Sequence, residues 1–261
     1  MEADFSNDQN YIDDIRRSLD MGINLIDTAE LYGKGHTEEI VGKAIKGYDR
    51  KNLFISSKVF KTNLHYHDLI NSAKNSLERL GVDFFDLYII HSPNDEIDIK
   101  ETIEAMNYLV EQGLTKNIGV SNFKKETLAS AQSFSKAKIV LNQCHYNLIY
   151  REPEITGLNS YCCDNDIILQ AWRPLQFGDI LDKDIDLLEN LSKKYGKTIS
   201  QIALNWLISQ KNVTTISKMS KIEHIQENLG AIGRKMEDKD IELLMKSYPN
   251  QKNISDRVPL R

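Results

Sequence analysis

Three observations predict an α/β fold, on the scale of a single (β/α)8 TIM barrel. Short β-rich runs alternate with longer amphipathic segments along the whole chain. Such alternation is the pattern of a parallel sheet, whose strands can be joined only by crossovers and not by tight turns. The length of 261 residues suits one large barrel domain. No linker, low-complexity tract or shift in composition divides the chain, so one domain is expected over residues 1–261.

The elements follow in order. Gln9–Met21 places Tyr11, Ile12, Ile15 and Leu19 on one helical face and stops before Gly22, a residue suited to closing a helix. A strand is expected at Asn24–Ile26, a helix near Thr37–Lys46 and a strand at Asn52–Ser57. The helix Asp68–Leu80 stops at Gly81, and Phe84–Ile90 reads as a buried strand. Helix Ile99–Gln112 leads to strand Asn117–Val120, and helix Lys125–Ser135 leads to strand Ile139–Asn142. A helix over Pro153–Cys163 precedes strand Asp166–Ala171. Helices Asp184–Tyr195 and Ser200–Ser209, strand Val213–Ile216 and helix Lys221–Ala231 complete the series. Seven strands result, and the first element is a helix. Counted this way, an eight-stranded barrel lacks its N-terminal hairpin and first strand in this chain, and the true start is expected upstream of Met1.

Composition narrows the function classes. The net charge is −5, and no Lys/Arg face stands out, which argues against a nucleic-acid partner. The three cysteines, Cys144, Cys162 and Cys163, have neither disulfide-framework nor zinc-ribbon spacing. No apolar run is long enough to span a bilayer, and the acidic start lacks a signal-peptide pattern. A cytoplasmic protein with no membrane partner, a monomer or weak oligomer, is expected.

The strands end in Asp27, Lys58, His91, Ser121-Asn122, Gln143, Trp172 and Ser217-Lys218. In a TIM barrel these ends share the face on which active sites form. Each residue has a plain alternative: Asp27 a turn former, Lys58 a solvated charge, His91 a core histidine, Trp172 a core aromatic. The joint placement of acid, ammonium, imidazole, amides and an aromatic favours a site.

At these positions the sequence resembles the aldo/keto reductase family. Asn24-Leu25-Ile26-Asp27-Thr28-Ala29-Glu30-Leu31-Tyr32-Gly33 is similar to the segment around the family's catalytic Asp and Tyr. Ser57-Lys58-Val59 resembles the segment of its catalytic Lys, and Leu87-Tyr88-Ile89-Ile90-His91-Ser92-Pro93 that of its catalytic His. Gly119-Val120-Ser121-Asn122-Phe123 and Asn142-Gln143 are similar to the motifs that bind the nicotinamide amide. The motifs keep their order from Tyr11 onward, and the type is the prokaryotic short-tailed one of diketogluconate and aldehyde reductases. The resemblance implies reduction of small aldehydes, ketones or keto-sugars, with NADPH or NADH as cofactor and a small carbonyl compound as partner.

The implied roles agree with the chemistry. Reducing a carbonyl needs a proton for the developing alkoxide, and a free tyrosine has a pKa of about 10. A neighbouring ammonium, Lys58, would favour the phenolate and so make Tyr32 a better acid. Asp27 would hold Lys58, and His91 would orient the substrate oxygen. By resemblance Ser121, Asn122 and Gln143 bind the carboxamide and Trp172 stacks on the nicotinamide. Arg173 and Leu175 stand in the following loop, where Arg173 and Gln176 replace the family's usual Ser and Gly, so pyrophosphate contacts should differ.

At the adenosine end, Ser220 and Glu223 form an S-x-x-E pattern expected to cap the last barrel helix, whose N-terminus would attract phosphate. Ser217, Lys218, Glu227 and Asn228 resemble the adenine-ribose site. His224 stands where the family often has Arg, and Met219 where it has Ser or Thr. Neutral His cannot clamp a phosphate as Arg does, which predicts a blunted NADPH preference.

Other signals point elsewhere. His65-Tyr66-His67 has the H-x-H spacing of some barrel metal sites, but its loop position would let only one imidazole face the cavity; a metal-dependent hydrolase rests on it alone. Gly33-Lys34-Gly35 lacks the third glycine of a Rossmann fingerprint. Tyr146 and Tyr150 are expected to cover the barrel edge, and the Trp206 face of its helix to be core. The short tail from Tyr248 suggests an open pocket. The competing function is a non-catalytic, cofactor-bound regulatory subunit of the same fold.

Overall fold

The computed structural model describes residues 7–180, 186–218 and 221–261. Its strands are β1 (Leu25–Asp27), β2 (Phe54–Val59), β3 (Leu87–Ile90), β4 (Ile118–Ser121), β5 (Ile139–His145), β6 (Ile168–Trp172) and β7 (Val213–Thr215). Strand order is chain order, β1 through β7. The β1–β2, β2–β3, β3–β4 and β6–β7 pairs are parallel, so the α/β class expected from the alternation is the class observed. The chain forms two compact units, Met1–Leu141 and Asn142–Arg261.

In the first unit the helices are α1 (Asp8–Asp20), α2 (His36–Ile45), α3 (Tyr66–Leu80), α4 (Ile99–Glu111) and α5 (Lys125–Phe134). Ile12 of α1 packs with Ile40 and Ala44 of α2, and Ile15 closes the cluster. Tyr11, expected on the same face, is exposed. Arg16 donates to the carbonyls of Ala44 (3.1 Å) and Lys43 (3.2 Å), which the end of α2 leaves without intrahelical partners. Gly42 allows α2 to approach α3: a Cβ there would lie 2.8 Å from the carbonyl oxygens of Arg79 and Leu80. Leu87, Ile89 and Leu141 form the strand core, flanked by Phe54 and Val140.

The register sets the chemistry. Asp27 is level with Ser56, and Lys58 with Ile89. Side chains alternate across a strand, so Ser56 and Lys58 point to one face of β2 and Ser57 to the other.

The second unit contains α6 (Glu152–Ile155), α7 (Leu158–Asp164), α8 (Asp186–Tyr195), α9 (Ile199–Ser209), α10 (Ile222–Leu229) and α11 (Asp238–Ser247). The single helix expected over Pro153–Cys163 is two, because Gly157 adopts a left-handed conformation (φ 72°) between them. Helix α11 was not expected. Its acidic start hides a buried face of Asp240, Ile241 and Leu244. Asp184, the expected start of α8, lies outside the described residues, as do Met219 and Ser220.

One further expectation is corrected. Tyr146 does not cover an edge: it is fully buried, and its hydroxyl bonds to Glu154 and, at 2.8 Å, to Gln210. Helix α10 has Lys221 at its N-cap and Glu223 as its second residue, and the expected capping residue Ser220 lies outside the described residues. The capping box present is Thr198–Gln201, at the start of α9. Trp206 on α9 is core, as expected. No helix among the described residues is long and apolar enough to cross a membrane.

Candidate active site

The first unit brings Asp27, Tyr32, Lys58 and His91 together. Asp27 ends β1, and Lys58 lies one residue before the end of β2. Their side chains are 8% and 1% exposed and form an ion pair. Burying an ammonium costs several kcal/mol unless its protons are satisfied. Lys58 Nζ donates to Asp27 Oδ2 and, at 2.9 Å, to the Thr28 carbonyl, while Ser56 Oγ donates to Asp27 Oδ1 at 3.0 Å. Burial alone would lower the Lys58 pKa. The Asp27 carboxylate and the Tyr32 phenol outweigh it, so the pKa is raised and the amine stays charged.

Tyr32 reaches this ammonium because the chain turns sharply after β1. The Thr28 N–H donates to the Ser56 carbonyl, and the Tyr32 N–H to the Ala29 carbonyl, both at 3.0 Å. Gly33, Lys34 and Gly35 then take positive φ in a 3₁₀ turn, Tyr32–Gly35. Only the glycines adopt this conformation without strain. Tyr32 remains 39% exposed. Lys58 Nζ lies 5.1 Å from its ring centroid.

His91 follows β3, its N–H donating to the Val59 carbonyl at 3.0 Å. Its ring meets Tyr32 edge-on at 5.6 Å and Phe60 edge-on at 6.2 Å. Burial first, then the Lys58 charge, pushes the imidazole pKa down to about 4, against the opposing pull of Asp27. His91 is therefore neutral near pH 7, with its Nδ1 buried and unpartnered among the described residues. Asn122 Nδ2 donates to the His91 carbonyl (3.1 Å) and Ser121 Oγ (2.9 Å), which joins the end of β4 to that of β3.

In the second unit, Gln143 lies inside β5, three residues longer than expected, and its Nε2 donates to Gln170 Oε1 at 2.6 Å. Trp172 ends β6, partly exposed, with one face stacked on His145. Arg173 has a positive φ of 56° and a guanidinium carbon 5.6 Å from the Trp172 ring centroid. Burial first, then the charge of Arg257, lowers its pKa. Leu175 is half-buried at the start of the next turn. Ser217 accepts from Asn228 Nδ2 at 3.3 Å, while Lys218 and His224 are exposed. The Glu227 carboxylate accepts from Thr198 Oγ1 at 2.9 Å, a contact without a sequence signal.

Several supporting residues escaped sequence reasoning. Glu30 Oε1 accepts from the Phe60 N–H (2.6 Å) and Asn63 Nδ2 (3.0 Å), tying the Tyr32 loop to the segment after β2. Fully buried Glu38 bonds to Ser57, beside Lys58, and to Arg79. A glutamate two residues before Tyr32 was visible in the motif, but nothing local marked its partner. His65 pairs with Glu101 at 3.2 Å, and among the described residues no three His, Cys, Asp or Glu side chains converge as metal ligands.

Known proteins share this arrangement of sequence and fold. A thermostable aldo-keto reductase bound to the inhibitor epalrestat superposes with a TM-score of 0.90 at 44% identity, over 93% of this chain and 89% of that one. An aldo/keto reductase of Klebsiella pneumoniae, in complex with NADP and acetate, gives 0.86 at 30% identity over 100% and 92%. The glyoxal reductase of Bacillus subtilis (strain 168) is 34% identical over 230 residues, 87% of this chain and 80% of its own length. Methylglyoxal reductase YeaE of Escherichia coli (strain K12) is 29% identical over 256 residues, 97% and 89%. The Aldo/keto reductase family model matches residues 2–248, and this chain belongs to that family.

Proposed function

We propose that the protein reduces small aldehydes, ketones or keto-sugars to alcohols with NADPH or NADH, Tyr32 acting as the general acid. Membership of the family makes it an oxidoreductase. The observation that carries the finer reading is the Lys58 ammonium, buried between Asp27 and the Tyr32 ring, with neutral His91 edge-on to the same ring.

Taken unit by unit, the residues present suit a nicotinamide dinucleotide. Trp172 offers a partly exposed flat surface backed by His145, suited to a pyridine ring. Ser121, Asn122 and Gln143 would hold the carboxamide. Arg173 and Leu175 would line the pyrophosphate, and Ser217, Lys218, His224, Glu227 and Asn228 the adenosine end. When bound, the reduced nicotinamide supplies a hydride to the carbonyl carbon. Tyr32 gives its phenolic proton to the carbonyl oxygen, and Lys58 stabilises the phenolate left behind. Asp27 keeps Lys58 charged and aimed. His91 orients the carbonyl oxygen as a neutral hydrogen-bonding group.

The relatives named for glyoxal and methylglyoxal reduction make those dicarbonyls the first substrates to try. Absorbance of NADPH or NADH is followed with glyoxal, methylglyoxal and a panel of simple aldehydes and keto-sugars. Turnover that disappears in Tyr32→Phe is expected. No turnover with any carbonyl, with cofactor bound, would instead favour a regulatory subunit.

A further inference from the structure

Three rings are stacked in the second unit. His145 lies between Tyr150 and Trp172, with centroids 4.3 Å away on each side and planes 23° and 10° from parallel. His145 itself is 2% exposed, and both its ring nitrogens are engaged. Nδ1 is 2.8 Å from Ser255 Oγ and Nε2 is 2.8 Å from Gln176 Oε1. An amide oxygen can only accept, so Nε2 carries the proton and Nδ1 accepts from the Ser255 hydroxyl.

The amide orientations follow from the same network. Asn147 Oδ1 accepts from the N–H groups of Ile149 (2.8 Å) and Tyr150 (2.9 Å), so its Nδ2 faces Gln176 Oε1 (3.2 Å) and the Arg173 carbonyl (2.9 Å). Burial pushes the His145 pKa down to about 4, which keeps the imidazole neutral, as this pair of bonds requires.

Ser255 is fixed in turn. Its Oγ accepts from the N–H groups of Arg257 and Val258, both at 3.2 Å. Its own N–H donates to Glu152 Oε2 at 3.0 Å, and the Leu260 N–H donates to Glu152 Oε1 at 3.1 Å. Glu152 is 6% exposed. The Arg151 N–H donates to the Lys252 carbonyl at 2.9 Å. The C-terminal segment is thus strapped down over two buried side chains, His145 and Glu152.

Each buried ring nitrogen of His145 has its hydrogen bond, and together the two bonds fix the rotation of the ring. Rotating the His145 ring would break both of its hydrogen bonds, and Trp172, within 10° of parallel, follows its plane. A surface held at a fixed tilt loses less conformational freedom when a ligand settles on it. We propose that His145 is a positioning residue for Trp172, locked by Ser255 of the C-terminal segment and by Gln176, so that the tail sets the tilt of the indole that receives the nicotinamide. This rests on the reading that Trp172 packs against the nicotinamide.

A double-mutant cycle on the full chain tests it, with NADPH dissociation constants read from dinucleotide fluorescence. His145→Ala is expected to weaken NADPH roughly fivefold, the scale of one lost aromatic pair. In a Trp172→Ala background the same change should alter affinity by less than about twofold, because the group it acts through is gone. His145→Phe keeps a flat ring but loses both hydrogen bonds, so it should weaken binding at least as much as Ser255→Ala, about threefold. An equal loss in both backgrounds, or no loss in either, overturns the positioning role while leaving Trp172 in place. Parent-like binding by Trp172→Ala defeats the reading beneath it, and the inference with it. Should His145→Ala not fold, Ser255→Ala decides: parent-like NADPH affinity there refutes the strap.

Discussion

The His91 imidazole stands edge-on to the Tyr32 ring, with centroids 5.6 Å apart and planes at 84°. A phenol and a neutral imidazole thus stand side by side, with the Lys58 ammonium 5.1 Å from the phenol's ring centroid. On the proposed reading, proton donation, orientation and charge stabilisation fall to three different side chains, and each can be removed alone.

Tyr32→Phe should lower kcat by about a thousandfold, within the range by which a positioned general acid contributes. The ring and its contact with His91 remain, so NADPH affinity should change by less than about twofold. Stopped-flow turnover and cofactor titration check both numbers. Parent-like kcat would remove Tyr32 from the mechanism.

Asp27→Asn leaves the Lys58 ammonium enclosed without its countercharge. Breaking a buried pair in this way costs about 3–5 kcal/mol. Denaturant unfolding should show a loss of that order, with activity lost as well. Lys58→Met in the Asp27→Asn background should recover part of the stability and none of the activity.

Acid should destabilise the fold through two histidines. His91 and His145 are each held down to about 4, mainly by burial. An unfolded histidine titrates near 6.5. Between those values the unfolded chain binds protons that the folded chain refuses, so stability falls as pH drops through that window and is unaffected by these groups above it. Melting temperature measured from pH 7 to 4 should decline, and His91→Asn or His145→Phe should each flatten the decline. An unchanged slope in both variants would contradict these assignments.

Glu38 is a structural test beside the site. Fully buried, it holds Arg79 and Ser57. Glu38→Ala strands the guanidinium and should cost about 3–5 kcal/mol. Surviving folded enzyme should keep a parent-like KM for carbonyl substrate, because Glu38 does not touch Lys58 or Tyr32.

Cofactor choice should respond to one exposed position. His224 is exposed on α10, and on the proposed reading an arginine there would clamp a ribose phosphate. His224→Arg should raise the NADPH-to-NADH ratio of kcat/KM by about tenfold, the value of one charge-assisted bond. A ratio that stays constant would place the phosphate elsewhere.

The sequence alone determined the alternation of strands and helices and the residues standing at the strand ends, because hydrophobic period and strand length are local properties. Asp27, Lys58 and His91 were legible for that reason, and Tyr32 through its motif. Helix α11 was not, because a run of acidic residues masked Ile241 and Leu244 until other elements buried them. Tertiary structure alone decided the partners of the buried polar groups: Glu38 with Ser57, Glu152 with the backbone of the tail, and His145 with Ser255 across 110 residues. A hydrogen bond is made between points in space, and for groups so far apart along the chain only the folded register brings donor and acceptor within about 3 Å of each other.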